Sequence, residues 1–329
     1  MSKSILKMIS ELAESEGLDG WGVSTPPYDV EGFLESWVRK GRHGKLKYME
    51  NNISTRSNPS FFFNDLQSVI SFALSYSVGE NSKFASYALG TDYHYSLGEK
   101  LHKIAQTLEQ SFGGKFFVAV DIFPIAERAA AAKSKMGWIG KSGNFILPSV
   151  GPNVFLGEIL TSHKLDTTEN KSEFMNCGDC TLCIDSCPTG AICDDQTIDV
   201  RKCLSYYTTE IREVPPENIR DKYDGIFWGC EKCVLVCPYL HKNIIQNKKT
   251  PLSDDDFENF PSLTKGNFKK TVLERMSKRK LSINYIISET TSSDNTTSFT
   301  NNLNTLKKLY MDDPELMEII TWAEKKHGQ

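Results

Sequence analysis

Hydrophobic residues at helical spacing alternate with short apolar runs over the first half of the chain. The helical spacing predicts helices over residues 4–16, 97–112 and 127–136. The short runs predict buried strands over residues 68–76 and 115–120, and a further strand pair at residues 144–147 and 154–160. Gly137 is the expected end of the third helix. The alternation predicts an α+β fold whose first domain, residues 1–165, is of mixed α/β type.

The second half of the chain is more polar. A polar stretch at 164–172 predicts a linker that leads into a cysteine-rich domain, residues 166–242. The rest, residues 243–329, is predicted to be a short, partly helical extension. Its predicted features are a turn at residues 254–256, a basic amphipathic helix or solvated helix face within 265–284, a Ser/Thr/Asn-rich loop or disordered segment at 288–305, and a final amphipathic helix at 314–326.

Composition narrows the class of protein. A chain of 329 residues with 39% hydrophobic residues has room for two or three compact domains, and its net charge of −4 predicts no particular polyanion partner. No apolar run approaches the roughly 20 residues that a membrane helix needs, so a cytoplasmic protein is expected, with no membrane partner. In a reducing compartment, nine cysteines in dense groups favour metal binding over disulfides.

The cysteine spacing is that of a two-cluster ferredoxin. Cys177, Cys180, Cys183 and Cys187 precede Pro188 as C-x2-C-x2-C-x3-C-P, and Cys230, Cys233 and Cys237 precede Pro238 as the end of the same pattern. In such proteins the fourth cysteine of a run binds the other cluster. If Cys203 supplies the missing ligand, two [4Fe–4S] sites are complete. One would use Cys177, Cys180, Cys183 and Cys237, and the other Cys187, Cys203, Cys230 and Cys233.

Two alternatives accompany this interpretation. Structural zinc also uses C-x2-C pairs, although zinc has no need of the repeated x3-C-P ending. Cys193 is left over as a small packed or exposed side chain. Two clusters in one small domain imply one-electron transfer, and fusion to a larger domain predicts a redox partner centre in that domain.

The first domain lacks the usual nucleotide and dinucleotide fingerprints but carries three polar clusters at the ends of predicted elements. These clusters are Gly90-Thr91-Asp92-Tyr93-His94, the stretch from Asp121 to Arg128, and the stretch from Gly137 to Asn144. Together with the cysteine runs and with Arg56-x-x-Pro59, Phe155-Leu156-Gly157-Glu158-Ile159 and Arg201-Lys202-Cys203-Leu204-Ser205-Tyr206, they cover roughly residues 15–242. At these residues the chain resembles the epoxyqueuosine reductases of the QueG type, cobalamin-dependent iron–sulfur enzymes related to reductive dehalogenases.

The resemblance implies a cobalamin bound between the first domain and the double-cluster domain. In that family the clusters reduce cobalt to a nucleophilic low-valent state that attacks the substrate epoxide, and the catalytic acid maps to Asp121. A carboxyl in a dry pocket is expected to have a raised pKa and so to hold a proton for the leaving alkoxide. The residues implied as cofactor contacts are Arg56, Asp92, His94, Asp121, Lys141, Ser142, Asn144 and Ser205.

Each of these residues also has a purely structural interpretation. Asp121 could cap a helix that begins near Pro124, and Asp92 and His94 could form a turn hydrogen bond and a satisfied imidazole. Lys141 and Ser142 could end a strand in solvent, Arg56 could be a surface charge, and Ser205 could satisfy local backbone groups. Without the resemblance, the cap would be the preferred interpretation of Asp121.

The resemblance is weaker at the C-terminal end. The family's arginine before Gly90 is Leu89 here, Ser142-Gly143 alters the motif after Lys141, and residues 265–284 lack the family's arginine–asparagine signature. The leading hypothesis is reduction of epoxyqueuosine to queuosine in tRNA by a monomer with an external low-potential electron donor. The alternatives are reduction of another electrophile, such as an organohalide or epoxide, and a non-catalytic electron carrier.

Overall fold

The computed structural model describes residues 1–79, 83–167, 176–240, 251–292 and 297–328. The α-helices are α1 Ser2–Ser15, α2 Glu31–Arg39, α3 Ile53–Ser57, α4 Tyr93–Phe112, α5 Glu127–Lys133, α6 Leu182–Asp185, α7 Glu217–Arg220, α8 Lys232–Leu235, α9 Asp254–Glu258, α10 Lys278–Thr291, α11 Thr297–Leu309 and α12 Pro314–Lys326. The strands are β1 Gly20–Ser24, β2 Ser68–Ser75, β3 Phe116–Ala119, β4 Trp138–Ile139, β5 Phe145–Ile146 and β6 Val154–Thr161. A π-helix covers Tyr206–Glu210.

An antiparallel sheet of order β1-β2-β6-β3 forms the centre of the N-terminal half. Helices α1 and α4 cover one face, and α5 covers the other. Both faces are covered, so β2 and β6 are almost continuously buried, and their side chains alternate between the two cores. Ile159 lies on the α4 face, whereas Glu158 and Leu160 point to the α5 face.

The sequence located these elements well but paired two of them wrongly. The strands expected at residues 144–147 and 154–160 both form, but β5 pairs with β4 whereas β6 joins the central sheet. Helix α5 ends at Lys133, because Lys135 takes the left-handed conformation with φ 61°, and Gly137 is not its stop. A Cβ atom on Gly137 would lie 2.1 Å from the carbonyl oxygen of Ile146, so this glycine permits the close β4–β5 contact.

The C-terminal predictions require three corrections. Residues 254–256 form the start of α9, with a capping box at Ser253, and not a turn. The Ser/Thr/Asn-rich stretch 288–305 belongs to α10 and α11 wherever it is described, and residues 293–296 lie outside the described chain. Within 265–284 the α-helix begins only at Lys278, and α10 is buried almost all round, so it is not amphipathic. The polar side chains of α10 and α11 misled the prediction because several of them hydrogen-bond inside the core.

The final helix α12 is confirmed, with Leu316, Ile319, Ile320 and Trp322 buried. It belongs to the largest hydrophobic core, which combines residues 204–228 with side chains from 252–323. The C-terminal segment therefore packs directly on the chain between the two cysteine runs. The domain boundaries remain predictions, and the proposed linker lies outside the described residues from 168 onward. Among the described helices, none is long and apolar enough to cross a membrane.

Candidate active site and cluster sites

Asp121 lies in a tight turn between β3 and α5. Its backbone is in the left-handed region, with φ 56°, which is uncommon for a residue with a side chain. Its N–H donates to Oε1 of Glu127 at 2.7 Å, and its Oδ2 lies 3.1 Å from Nε2 of His94. Helix α5 begins at Glu127 with no side-chain cap, so the helix-cap interpretation of Asp121 is wrong.

His94 lies between two carboxyl groups at the start of α4. Oδ1 of Asp92 accepts a hydrogen bond from the His94 backbone N–H at 3.0 Å and lies 2.6 Å from Nδ1 of the imidazole. Asp92 therefore caps α4 and also orients the ring, while the opposite ring nitrogen faces Asp121. The hydroxyl of Tyr93 is a further hydrogen-bond partner of Asp121. The three residues Asp92, His94 and Asp121 form one hydrogen-bonded row.

The proton of this row rests on the imidazole. Hydrogen bonds to Asp121 and Asp92 raise the pKa of His94 to about 9. The hydrogen bond from His94 lowers the pKa of Asp121 and outweighs the opposing effect of burial. The expectation of a raised pKa for Asp121 is therefore wrong, because it considered the dry pocket and not a cationic neighbour. The site stores its proton as an imidazolium–carboxylate pair.

The surroundings of Asp121 combine exposed apolar side chains with a partly buried guanidinium. Ile122 and Tyr48 are 69% and 52% exposed. The Nε atom of Arg56 is buried and has no hydrogen-bond partner among the described residues, and burial lowers the pKa of this guanidinium. Arg56 is therefore not an ordinary surface charge. An open apolar surface with an unsatisfied donor fits a large ligand that has apolar faces and amide groups, as a corrin does.

Lys141, Ser142 and Asn144 lie toward the cysteines. Nζ of Lys141 donates to the carbonyl oxygens of Gly178 and Cys180 at 2.7 and 3.0 Å, inside the first cysteine run. Nδ2 of Asn144 lies 3.1 Å from the Ser142 hydroxyl and 3.9 Å from Sγ of Cys233. The loop after β4 therefore contacts both cysteine runs, and the solvated-strand interpretation of Lys141 is wrong.

The structure brings together the first four predicted cluster ligands. Cys177, Cys180, Cys183 and Cys237 line one cavity beside Lys141 and Ser142, and Cys233 of the second predicted set lines the same cavity. Burial raises the pKa of Cys183 and Cys237, and in both cases the neighbouring Cys177 and Cys180 raise it further. Thiols that raise one another's pKa in this way need a positive centre to hold them as thiolates, which suits an iron–sulfur cluster.

The other four predicted ligands form a second group. Burial raises the pKa of Cys230 to about 11 and that of Cys233 to about 12, with contributions from Cys203 and Cys187 in both cases. Cys183 also acts on Cys233, so the two groups are adjacent. Cys193 belongs to neither group, and its Sγ faces the carbonyl oxygen of Ala191.

Ser205 lies beside the second group of cysteines. It is the residue before the π-helix, its hydroxyl hydrogen-bonds the partly buried Tyr87, and its carbonyl accepts bonds from Thr208 and Thr209. At the far end of the π-helix, Glu210 acts electrostatically on Asp121. This short helix therefore connects the cysteine groups with the Asp121 site.

Sequence reasoning missed three residues of the site. These are Tyr93, Glu127 and Glu158, which were noted within motifs but given no role. Glu158 is fully buried in β6, and its carboxyl interacts with that of Glu127. A glutamate in an otherwise apolar strand was the available signal, because a buried carboxyl needs a specific partner.

Two family models match the chain. The model "4Fe-4S double cluster binding domain" matches residues 176–240, and "Epoxyqueuosine reductase QueG, DUF1730" matches residues 56–122. The second match contains Arg56, Asp92, His94 and Asp121. Fold and site thus define an oxidoreductase with a double iron–sulfur cluster domain.

Curated relatives identify the family. The epoxyqueuosine reductase of Cyclobacterium marinum is 32% identical over 287 residues, which is 83% of this chain and 92% of the relative. That of Cellulophaga algicola is 36% identical over 214 residues, covering 63% of this chain and 69% of the relative. The epoxyqueuosine reductase of Escherichia coli is 34% identical over 219 residues, which is 63% of this chain and 57% of the relative. This chain belongs to the epoxyqueuosine reductase family.

Solved structures agree with this assignment. The epoxyqueuosine reductase from Streptococcus thermophilus superposes with a TM-score of 0.83 at 25% identity, over 98% of this chain and 89% of that one. A structure of an epoxyqueuosine reductase with an epoxyqueuosine-modified tRNA stem loop has the same TM-score at 22% identity, over 99% of this chain and 91% of that one. The second likeness concerns the fold alone.

Proposed function

We propose that this protein reduces epoxyqueuosine to queuosine in tRNA, in the cytoplasm and as a monomer. The observation that carries the proposal is the Asp92–His94–Asp121 row, which stores a proton beside an open apolar surface in a protein with two cysteine groups. Conversion of an epoxide to an alkene consumes two electrons and two protons and releases the oxygen as water. The reaction therefore needs both an electron path and a proton donor.

The electron path is assigned to the two cysteine groups. Cys177, Cys180, Cys183 and Cys237 would hold one [4Fe–4S] cluster, and Cys187, Cys203, Cys230 and Cys233 the other. The adjacency of Cys183 and Cys233 supports transfer between them. An external low-potential donor would supply the electrons one at a time, and Lys141 would hold the first cysteine run in place through two backbone carbonyls.

Cobalamin is assigned to the space between the first domain and the double-cluster domain, as the resemblance implies. Arg56, whose guanidinium is only partly buried, would bind an amide group of the corrin, and Asp92, His94, Asp121, Ser142, Asn144 and Ser205 would complete the proposed set. Lys141 already binds two carbonyls of this chain, so its role toward the cofactor is indirect. Bound cobalamin supplies the redox chemistry that breaks the carbon–oxygen bond of the epoxide.

The proton is delivered by this chain's own side chains. When the epoxide opens, its oxygen develops the charge of an alkoxide, a base far stronger than a carboxylate. The Asp121 side chain is 55% exposed, whereas that of His94 is 20% exposed, so Asp121 is the group that substrate can approach. The proton on Nε2 of His94 passes to Oδ2 of Asp121 and from there to the alkoxide oxygen. After His94 has taken up another proton from water, the same route supplies the second proton, with which the hydroxyl group leaves as water. Such general acid catalysis contributes typically 10²–10⁴-fold in rate.

Anaerobic reconstitution tests the proposal. Protein loaded with iron, sulfide and cobalamin is incubated with a chemical reductant and epoxyqueuosine-containing tRNA, and digested nucleosides are analysed by mass. We expect queuosine, with kcat about 10²-fold lower for Asp121→Asn. An Asp65→Asn variant, which alters a surface ion pair with Lys115, controls for general effects of losing a carboxylate. Loaded clusters without any queuosine would overturn the proposal and direct attention to other epoxides and organohalides.

A further inference from the structure

A pair of glutamates, of which Glu158 is fully buried and Glu127 partly buried, lies directly behind the Asp121 turn. Glu158 is on β6 and points to the α5 face of the sheet, opposite Ser71 on β2. Glu127 is the first residue of α5. Glu158 is 0% exposed, and the groups with which its carboxyl interacts are the Ser71 hydroxyl and the carboxyl of Glu127. The two glutamate carboxyls interact with each other, so the sheet and the helix are joined through two acidic groups.

The Glu127 and Glu158 carboxyls interact while shielded from water, so ionising both of them would cost a large free energy of charge repulsion and desolvation. Burial, and then the neighbouring carboxylate of Asp121, raise the pKa of Glu127 to about 7. Burial and the Glu127 carboxyl raise the pKa of Glu158 further above its ordinary value. The stable arrangement is one proton held between the two groups, as in other carboxyl pairs. The ionisable groups around the pair are Asp121, Arg56, Arg128, Tyr93 and Tyr28.

The same pair holds the backbone of Asp121. Oε1 of Glu127 accepts the Asp121 N–H at 2.7 Å, and this is the residue whose φ of 56° departs from the usual regions. Strained conformations of this kind are unfavourable and persist only where neighbouring groups enforce them. Glu127 can be held in place in turn, because a protonated Glu158 donates a hydrogen bond to the Glu127 carboxylate.

We propose that Glu127 and Glu158 share one proton and together act as a positioning device that holds Asp121 in its left-handed turn, facing His94. Glu127 is the residue that contacts the turn, and Glu158 orients Glu127. Neither residue touches substrate in this assignment, so both are positioning residues. The inference rests on the proposed role of Asp121 for its meaning in catalysis, but the hydrogen bond and the shared proton can be tested without turnover.

The first test measures amide hydrogen exchange of the Asp121 turn by mass spectrometry in the full-length, cluster-loaded protein. In Glu127→Ala the acceptor is lost, and we expect exchange of the Asp121 amide to accelerate about tenfold or more. In Glu127→Gln the amide oxygen can still accept the bond, so protection should remain near that of the parent. The matched control is Glu289→Gln. Glu289 lies in α10, and its buried carboxylate is paired with Lys83. Unchanged protection in Glu127→Ala, or equal loss in Glu127→Gln, would overturn the proposal.

The second test detects the shared proton. Infrared spectra at pH 6, well above the ordinary glutamate pKa of about 4.3, should contain a neutral carboxylic acid band. This band should weaken in Glu158→Gln, shift in frequency in Glu127→Gln because an amide replaces the carboxylate partner, and remain unchanged in Glu289→Gln. A band unaffected by the first two substitutions would contradict proton sharing.

A third measurement separates positioning from general damage. If the protein reduces epoxyqueuosine, Glu127→Ala should lower kcat about 10²-fold with little change in KM, and Glu127→Gln should restore most of the rate. Equal kcat values for Glu127→Ala and the parent would rule out a role of Glu127 in positioning Asp121. Complete absence of turnover in the parent would count against the proposed function only, since the exchange and infrared results decide the pair independently.

Discussion

Nε2 of His94 and Oδ2 of Asp121 lie 3.1 Å apart, and this contact places the proton of the site on the residue that is less exposed. Asp92 on the other side of the ring helps to hold the charge, because it interacts with Nδ1 at 2.6 Å. The Asp121 carboxylate, which faces the open surface, is thus ionised and hydrogen-bonded to the cationic imidazole of His94. Its readiness to pass on a proton depends on the protonation of His94, and the two groups titrate as a coupled unit.

The rate of epoxide reduction should therefore fall at high pH. The pKa of His94 is raised to about 9, so the imidazolium is fully formed below this pH and is lost as the pH rises through it. Above about pH 9 we expect kcat to decrease roughly tenfold for each further pH unit, because the required form of the enzyme decreases in that proportion. A kcat–pH profile measured from pH 6 to pH 10.5, within the stable range of the protein, checks this prediction.

The Asp121→Asn variant provides the control for that assignment. Without the carboxylate, the pKa of His94 should fall by about 1–3, toward the ordinary histidine value of about 6.5, as followed by NMR titration of the ring. An unchanged titration of His94 in Asp121→Asn would contradict the coupling.

The two cysteine groups predict unequal effects of two cysteine substitutions. Cys203 lies among Cys187, Cys230 and Cys233, whereas Cys193 faces a backbone carbonyl. We expect Cys203→Ser to lose about half of the bound iron and the spectroscopic signal of one cluster, because that variant lacks one of four ligands. Cys193→Ser should retain all of its iron. Iron and sulfide analysis with electron paramagnetic resonance measures both, and equal iron content in the two variants would refute the assignment of Cys203.

The parts of the molecule that the sequence predicts well are those set by local pattern. Hydrophobic spacing located α1, α4, α12, β2 and β3, and the cysteine spacing indicated the double-cluster domain that the family model then matched. Strand partners depend on contacts far apart in the chain, and so β6 was paired wrongly. Helix α11 and the C-terminal part of α10 were missed because their buried polar residues resemble those of a loop until their distant partners are known.

The candidate site shows the same division. Asp92, His94 and Asp121 were found through motif likeness, and the structure places them in one row. The predicted direction of the Asp121 pKa shift was wrong. The sequence does not show that the imidazole of His94, 27 residues earlier in the chain, faces Asp121. The Glu127–Glu158 contact likewise depends on strand β6 lying under α5, which only the folded chain reveals.

Lys141 should control how firmly the first cysteine run holds its cluster. Its ammonium donates to the carbonyls of Gly178 and Cys180, and hydrogen bonds to charged groups each contribute about 1.5–3 kcal/mol when shielded from water. The Lys141 side chain is partly accessible, so the lower end of that range applies. Lys141→Met should release iron to a chelator several-fold faster than the parent, whereas Lys133→Met, which removes a lysine bonded to the Pro27 carbonyl, should not. Equal release rates for the two variants would show that Lys141 does not support the cluster.

Asn284 should stabilise the π-helix that follows Cys203. A π-helix leaves its carbonyls poorly satisfied, and here α10 supplies the missing donors, since Lys280 binds the carbonyl of Tyr207 and Asn284 that of Thr208 at 2.8 Å. Asn284 is 0% exposed, so Asn284→Ala leaves a buried carbonyl without this donor, at a cost of about 1–3 kcal/mol. We expect a lower Tm for Asn284→Ala in thermal unfolding of the cluster-loaded protein, and faster loss of iron from the group containing Cys203. Asn301→Ala, at an exposed position on α11, should leave both quantities unchanged. A lower Tm with normal iron retention would show that Asn284 stabilises only the C-terminal core. The substitution would then have no effect on iron binding by Cys203.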